Sequence, residues 1–149
     1  MKIKNKMKLE FKALGINEGF ARSTAAAFCF SENPSIEDLN DIKTAVSEAV
    51  TNAIVHGYEK DENGIIVLEA ILYEGEVEII ISDRGKGISN LSEAMQPFYT
   101  SKPDDERSGM GFTVMQTFMN ELSVKSEPGE GTEVTMFKKF NLETEETNA

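Results

Sequence analysis

The order of elements in this chain of 149 residues predicts an α+β fold, a two-layer sandwich with helices on one face of a mixed, mostly antiparallel sheet. Three patterns predict it. The N-terminus carries a segment of strand period, residues 17–57 carry two segments of helical period, and two pairs of β-rich runs are joined by the short turns Glu74-Gly75 and Pro128-Gly129.

Leu9, Phe11 and Ala13 alternate with Lys8, Glu10 and Lys12, the pattern of a half-buried strand that Gly15 closes. Asn17 is then placed to cap a helix bearing Phe20, Thr24, Ala27 and Phe28 on one side. After Asn33-Pro34, Ser35 and Asp38 have the spacing of a capping box. They open a central helix whose apolar stripe is Leu39, Ile42, Val46, Ala49 and Ala53. This helix is expected to stop at His56-Gly57, with Gly57 in the left-handed C-terminal conformation. The runs 65–72 and 77–82 read as a hairpin of central strands. Residues 85–108 dissolve into Gly, Pro, Ser and charge, with a weak helical hint at 91–95. A connection of that length is expected to be a lid. Behind Gly111, the residues Phe112, Met115, Met119 and Leu122 recur at helical spacing, and Val124 to Phe140 form a second hairpin. The acidic tail, residues 143–149, is expected to fray.

Composition narrows the function classes. Fifteen Lys and Arg against 26 Asp and Glu give a net charge of −11, which argues against a broad nucleic-acid footprint and for a protein partner. The one cysteine, Cys29, fits a small buried hydrophobe in a reducing compartment. No run of about 18 apolar residues and no apolar segment behind the basic N-terminus is present, so a soluble cytoplasmic protein without membrane contact is expected.

Glu48 and Asn52, one helical turn apart, share a face. They lie about 160° and about 120° from the centre of the apolar stripe, so neither belongs to the core. An amide oxygen suits a hard cation such as Mg²⁺, and a neighbouring carboxylate can accept a proton from an attacking hydroxyl or water. Taken alone, such a pair is most often a solvated helix face. His56 sits at the edge of the stripe, where a histidine ordinarily serves the helix end. Asp83 ends a hydrophobic run just before Gly85 and Gly87, where a carboxylate can accept from an exocyclic amine; Asp-x-Gly is also a common turn. Gly109 and Gly111 precede a helix whose first N–H groups favour phosphate, with Lys102 and Arg107 in the loop before it. Both glycine pairs can bring bare backbone N–H groups to a phosphate chain, so Gly85 and Gly87 are candidate nucleotide-binding residues along with Gly109 and Gly111, although neither pair completes a dinucleotide fingerprint or a P-loop.

Together these segments reproduce a family pattern. Residues 48–58 (EAVTNAIVHGY) resemble an N box, residues 83–87 (DRGKG) a first glycine box and residues 108–112 (SGMGF) a second, and Gly131-Thr132 resembles the final Gly-Thr of the gyrase, Hsp90, histidine kinase and MutL ATPase superfamily. That resemblance implies a Bergerat-type ATP-binding fold. With residues 96–103 (QPFYTSKP) and 106–112 (ERSGMGF), the chain is similar over nearly its whole length to the anti-sigma F factor family. The resemblance implies inhibition of a sporulation sigma factor, ATP-dependent phosphorylation of a serine on a small anti-anti-sigma protein, and a homodimer with its N-terminal part near the dimer and sigma surfaces. By the same carry-over, Glu48 activates the acceptor hydroxyl and Asn52 binds Mg²⁺. Asp83 and Thr132 recognise adenine, and the lid with Lys102, Arg107, Gly109 and Gly111 holds the phosphates. Two alternatives stay open: a binding module merely gated by nucleotide, and an ATPase domain of histidine kinase type. The latter is disfavoured because the one histidine lies inside the N box, so an acceptor histidine on a dimerisation helix pair is missing. Arg22, a lone arginine among small residues, is a candidate sigma contact, and a solvated surface charge is an equally good reading.

Overall fold

The computed structural model describes residues 2–95 and 111–141. Strand β1 (Ile3–Lys12) leads to helix α1 (Ile16–Phe28), a 3₁₀ turn (Phe30–Glu32) and helix α2 (Ile36–Asn52), which runs on into a π-helical turn (Ala53–Gly57). Strands β2 (Ile65–Tyr73) and β3 (Glu76–Asp83), the short helix α3 (Leu91–Ala94), helix α4 (Gly111–Phe118) and strands β4 (Glu121–Glu127) and β5 (Gly131–Lys139) follow. The sheet order is β1-β2-β3-β5-β4, and every pairing is antiparallel. The expected α+β class holds, with the central hairpin inside the sheet.

Strand alternation decides which face is covered. Ile66, Leu68, Ala70 and Leu72 of β2 and Val77, Ile79 and Ile81 of β3 are buried, while the residues between them are partly exposed. Helix α2 lies between α1 and α4 and buries Ile42, Val46 and Val50 completely. Each of these three contributes about 1.5–3 kcal/mol by leaving water. The capping box forms as expected: Ser35 Oγ accepts from the Asp38 N–H at 3.0 Å, and the Asp38 carboxylate accepts from the Ser35 N–H at 3.2 Å. Asp38 is fully buried because its carboxylate also accepts from the Asn141 N–H at 2.7 Å, which ties the end of the β5 segment to the start of α2. Lys138 of β5 is buried too. Its ammonium bridges Asp41 Oδ2 and the Phe118 carbonyl, each at 2.9 Å, and so holds the C-terminus of α4 against α2.

Four local expectations are corrected. The buried face of α1 is Ala21, Ala25 and Ala26, followed by Cys29, whereas Phe20 is 55% exposed and Ala27 is exposed. Close approach of α1 to α2 selects the small residues and turns the large one outward. Asn17 does not cap α1. Gly15 is the N-cap, and the Asn17 amide donates to the Lys12 carbonyl instead. Gly57 is not left-handed, because α2 ends by widening into the π turn that the Tyr58 N–H closes on the Ala53 carbonyl; the positive φ angles fall on Glu59 and Lys60. Leu122, read with the last helix, lies in β4, since α4 stops at Phe118.

Candidate functional site

The principal cleft opens where the C-terminal end of α2, the N-terminus of α4 and the exit of β3 converge. It spans about 880 Å³ including its open mouth. Asp83 and Thr132 lie opposite one another on the paired strands β3 and β5 and form its floor. Ile81, Ile88, Phe112 and Val134 give it apolar walls.

Asp83 is 9% exposed, and its Oδ1 accepts from the Gly85 N–H at 2.8 Å. Burial raises its pKa above the usual carboxylate value, and the N–H groups of Gly85 and Thr132 act in the opposite direction. Side-chain room for this carboxylate comes from Gly57, where a Cβ would stand 2.9 Å from Asp83 Oδ1. Gly85 packs directly on Gly57, and a Cβ there would come within 2.0 Å of the Gly57 carbonyl oxygen. The Lys86 N–H donates to that same oxygen at 2.9 Å. On the other side, Gly131 has φ +98°, and a Cβ on it would strike the Asp83 carbonyl at 2.1 Å. The first glycine loop is thus clamped between the end of the π turn and the β4–β5 turn, where the Gly129 N–H meets the Lys86 carbonyl at 2.6 Å.

Asn52 is the last residue of α2, and Gly111 is the first of α4. Both line the cleft, and a Cβ on Gly111 would stand 3.0 Å from Asn52 Nδ2 and 3.1 Å from its Oδ1. An amide oxygen therefore meets a helix N-terminus, a pairing that suits a hard cation beside an anionic chain. Glu48 sits one turn back on α2, half-buried and outside the cleft lining. Gly87 lines the cleft, while Gly85 serves it from behind. The glycines of the first loop thus act mainly by permitting backbone packing, because the neighbouring Gly85, Lys86 and Ile88 N–H groups bond inside the protein. His56 also lines the cleft, a place the helix-end reading did not give it. Lys102, Arg107 and Gly109, like most of the expected lid, lie outside the described residues. Arg22 pairs with Glu18 at 2.6 Å along α1.

Sequence reasoning missed three residues. Gly57 was read as a helix stop. Tyr58 donates its hydroxyl proton to the Ile65 carbonyl at 2.6 Å and accepts from the Arg84 N–H at 2.8 Å, so it ties the exit of β3 to the start of β2. Ser126 lies in a short, polar strand and carried no signal at all.

The geometry defines a class. The family model of the histidine kinase-like ATPase domain matches residues 16–138, most of the chain. The same fold occurs in the crystal structure of the RsbU and RsbW domains of a Mycobacterium tuberculosis protein, with TM-score 0.66 and 22% identity over 92% of this chain and 33% of that one. Full-length ShkA in complex with AMPPNP matches with TM-score 0.57 and 16% identity over 87% of this chain and 30% of that one. Among curated relatives, an anti-sigma F factor of Clostridium perfringens (strain SM101) is 59% identical over 92% of this chain and 98% of its own length. The anti-sigma F factors of Clostridium beijerinckii and Shouchella clausii are 56% and 58% identical over 93% and 91% of this chain and 96% and 93% of theirs. The chain belongs to the anti-sigma F factor family.

Proposed function

We propose that this protein binds and inhibits a sporulation sigma factor, and that it uses Mg-ATP to phosphorylate a serine on a small anti-anti-sigma protein. The observation that carries the nucleotide part is the convergence in one cleft of the Asp83–Thr132 floor with the Asn52–Gly111 wall. Asp83 accepts from the exocyclic amine of adenine. The Asn52 amide oxygen supplies one ligand to Mg²⁺, whose others come from phosphate and water. Among the described residues no group of three or more His, Cys, Asp or Glu side chains is placed to hold a metal ion, which fits a cation brought in with its nucleotide.

Glu48, one turn from Asn52 and half-buried, takes the proton from the acceptor serine as its oxygen forms the new bond to the γ-phosphorus and the bond to the β-phosphate oxygen breaks. Lys102, Arg107, Gly109 and Gly111, with the lid of residues 85–108, hold the phosphates. Exposed apolar side chains at Ile16, Phe20, Phe30 and Ile36 support protein interfaces, including a homodimer, in the N-terminal part of the chain. No helix among the described residues is long and apolar enough to cross a membrane.

The test is transfer of phosphate from labelled ATP to the anti-anti-sigma protein, read as one added phosphate on serine by mass spectrometry. Glu48→Gln is expected to slow transfer by about 10²–10⁴-fold while ATP binding persists. Unchanged transfer removes Glu48 from the mechanism. Sigma inhibition without any transfer by the wild type leaves only the nucleotide-gated binding module.

A further inference from the structure

One hydroxyl that does not line the cleft bonds directly to its floor. Ser126, on β4, stands behind Thr132 and has three partners: the Ile88 N–H at 2.8 Å, the Gly131 carbonyl at 3.1 Å and Thr132 Oγ1 at 2.8 Å. A serine hydroxyl has one proton and two lone pairs. The Ile88 N–H can only donate and therefore takes a lone pair, and the Gly131 carbonyl can only accept and therefore takes the proton. The one site left on Ser126 is a lone pair, so Thr132 must be the donor between the two hydroxyls. With its proton turned to Ser126, Thr132 Oγ1 has lone pairs alone to offer any further partner. Its floor partner, the Asp83 carboxylate, accepts from the Thr132 and Gly85 N–H groups and is likewise an acceptor. Both side chains of the floor require a donor from whatever binds there.

We infer that Ser126 is a specificity-determining residue: by holding the Thr132 hydroxyl as an acceptor, it makes the cleft select a purine with a 6-amino group over one with a 6-oxo group. The inference rests on the reading of the cleft as a purine nucleotide site. A 6-oxo purine places carbonyl lone pairs where the amine places N–H groups, against the lone pairs of the floor. A Thr132 hydroxyl freed from Ser126 can rotate and donate to that carbonyl. Ser126 is absent from the cleft lining, and it reaches the cleft through two residues that do line it, Thr132 and Ile88; only the loss of its bond to Thr132 changes the hydrogen-bonding character of the floor.

Calorimetric dissociation constants for ATP and ITP on the wild type, Ser126→Ala and Ser126→Thr test this directly. The wild type is expected to prefer ATP. Ser126→Ala is expected to narrow the ATP-to-ITP ratio roughly tenfold, chiefly by gaining ITP affinity, and Ser126→Thr to keep the wild-type ratio. An equal loss of affinity for both nucleotides in Ser126→Ala marks Ser126 as merely structural and overturns the inference, as does an unchanged ratio. If Ser126→Ala does not fold, Ser126→Cys keeps the volume with a thiol that accepts hydrogen bonds poorly, and the same outcomes apply. A wild type that binds neither nucleotide overturns the reading of the cleft itself, a result distinct from an ATP-binding wild type whose selectivity ignores Ser126.

Discussion

Asp83 is held at a cost, which the proposed nucleotide would offset. Burial raises its pKa in the folded chain, so its contribution to stability is fully present below the unfolded carboxylate value and is lost as pH rises through the higher folded value. Burial disfavours the ionised form, and a donor from the proposed nucleotide would offset that penalty. Asp83→Asn is expected to weaken ATP binding by about 10- to 150-fold, the equivalent of about 1.5–3 kcal/mol for a hydrogen bond to a charged group. On acidification, the affinity difference between wild type and Asp83→Asn should shrink at pH values above those at which an ordinary aspartate protonates. Calorimetry across that range checks it, and a difference that stays constant with pH contradicts the role of the ionised form. Cys29 is the second residue with an altered proton affinity. It is fully buried, and burial pushes its thiol up to about 12. Native protein is expected to resist a thiol-specific chromogenic reagent and to react once unfolded by denaturant; rapid labelling of the native chain would show that α1 does not cover it. The sign of its linkage is the same as for Asp83. Its stability contribution is present below the unfolded thiol value and declines as pH rises from there through about 12.

At the scale of elements, α2 connects structure and site. Its N-terminus is anchored by Asp38, which satisfies the Ser35 N–H and the Asn141 N–H from a fully buried position, while its C-terminus presents Asn52 to the cleft. Ser35→Ala removes one cap and is expected to cost about 1 kcal/mol. Asp38→Ala removes the charged acceptor of both the Ser35 and the Asn141 N–H and is expected to cost roughly 2–4 kcal/mol. Chemical denaturation of both variants checks the order, and equal effects would mean that Asp38 acts only as a cap. The junction of α2 with α4 is tighter. A Cβ on Gly111 would press the Asn52 amide at 3.0 Å, so Gly111→Ala is expected to weaken Mg-ATP binding at least tenfold through a displaced Asn52. Titration with ATP in the presence and absence of Mg²⁺ separates the two contributions; loss confined to the Mg²⁺-free measurement would count against Asn52 as the affected group.

For the whole molecule, the strands and helices form a scaffold on which the cleft gathers residues from α2, the π turn, β3, α4 and β5. Ligand bound across so many elements stabilises the folded state of all of them. Mg-ATP at 100 times its dissociation constant is expected to contribute about 2.7 kcal/mol, or roughly 5–10 °C in melting temperature for a domain of this size. A melting curve unmoved by excess Mg-ATP would falsify nucleotide binding by the native chain.

Local pattern alone determined much of this protein. The capping box at Ser35 and Asp38, the stripe Ile42-Val46-Ala49 and the two hairpins with their Gly75 and Gly129 turns are properties of neighbouring residues, and they appear where their spacing puts them. The ordered boxes around Asn52, Asp83, Gly111 and Thr132 also marked out the cleft, because these residue types at those intervals resemble a known family. Other features were decided only by packing between distant segments. The helical pattern of α1 could not show that alanines, rather than Phe20, would face α2, since periodicity does not tell a close contact from a wide one. Gly57 looked like a helix stop until the carboxylate of Asp83 came within 2.9 Å of its missing side chain. Ser126 was one serine in a polar strand until the fold set its single proton and two lone pairs between Ile88, Gly131 and Thr132. Spacing along the chain specifies elements because hydrogen bonds and amphipathic faces are local. The direction of a hydroxyl proton is set by every partner around it, and only the tertiary structure brings those partners together.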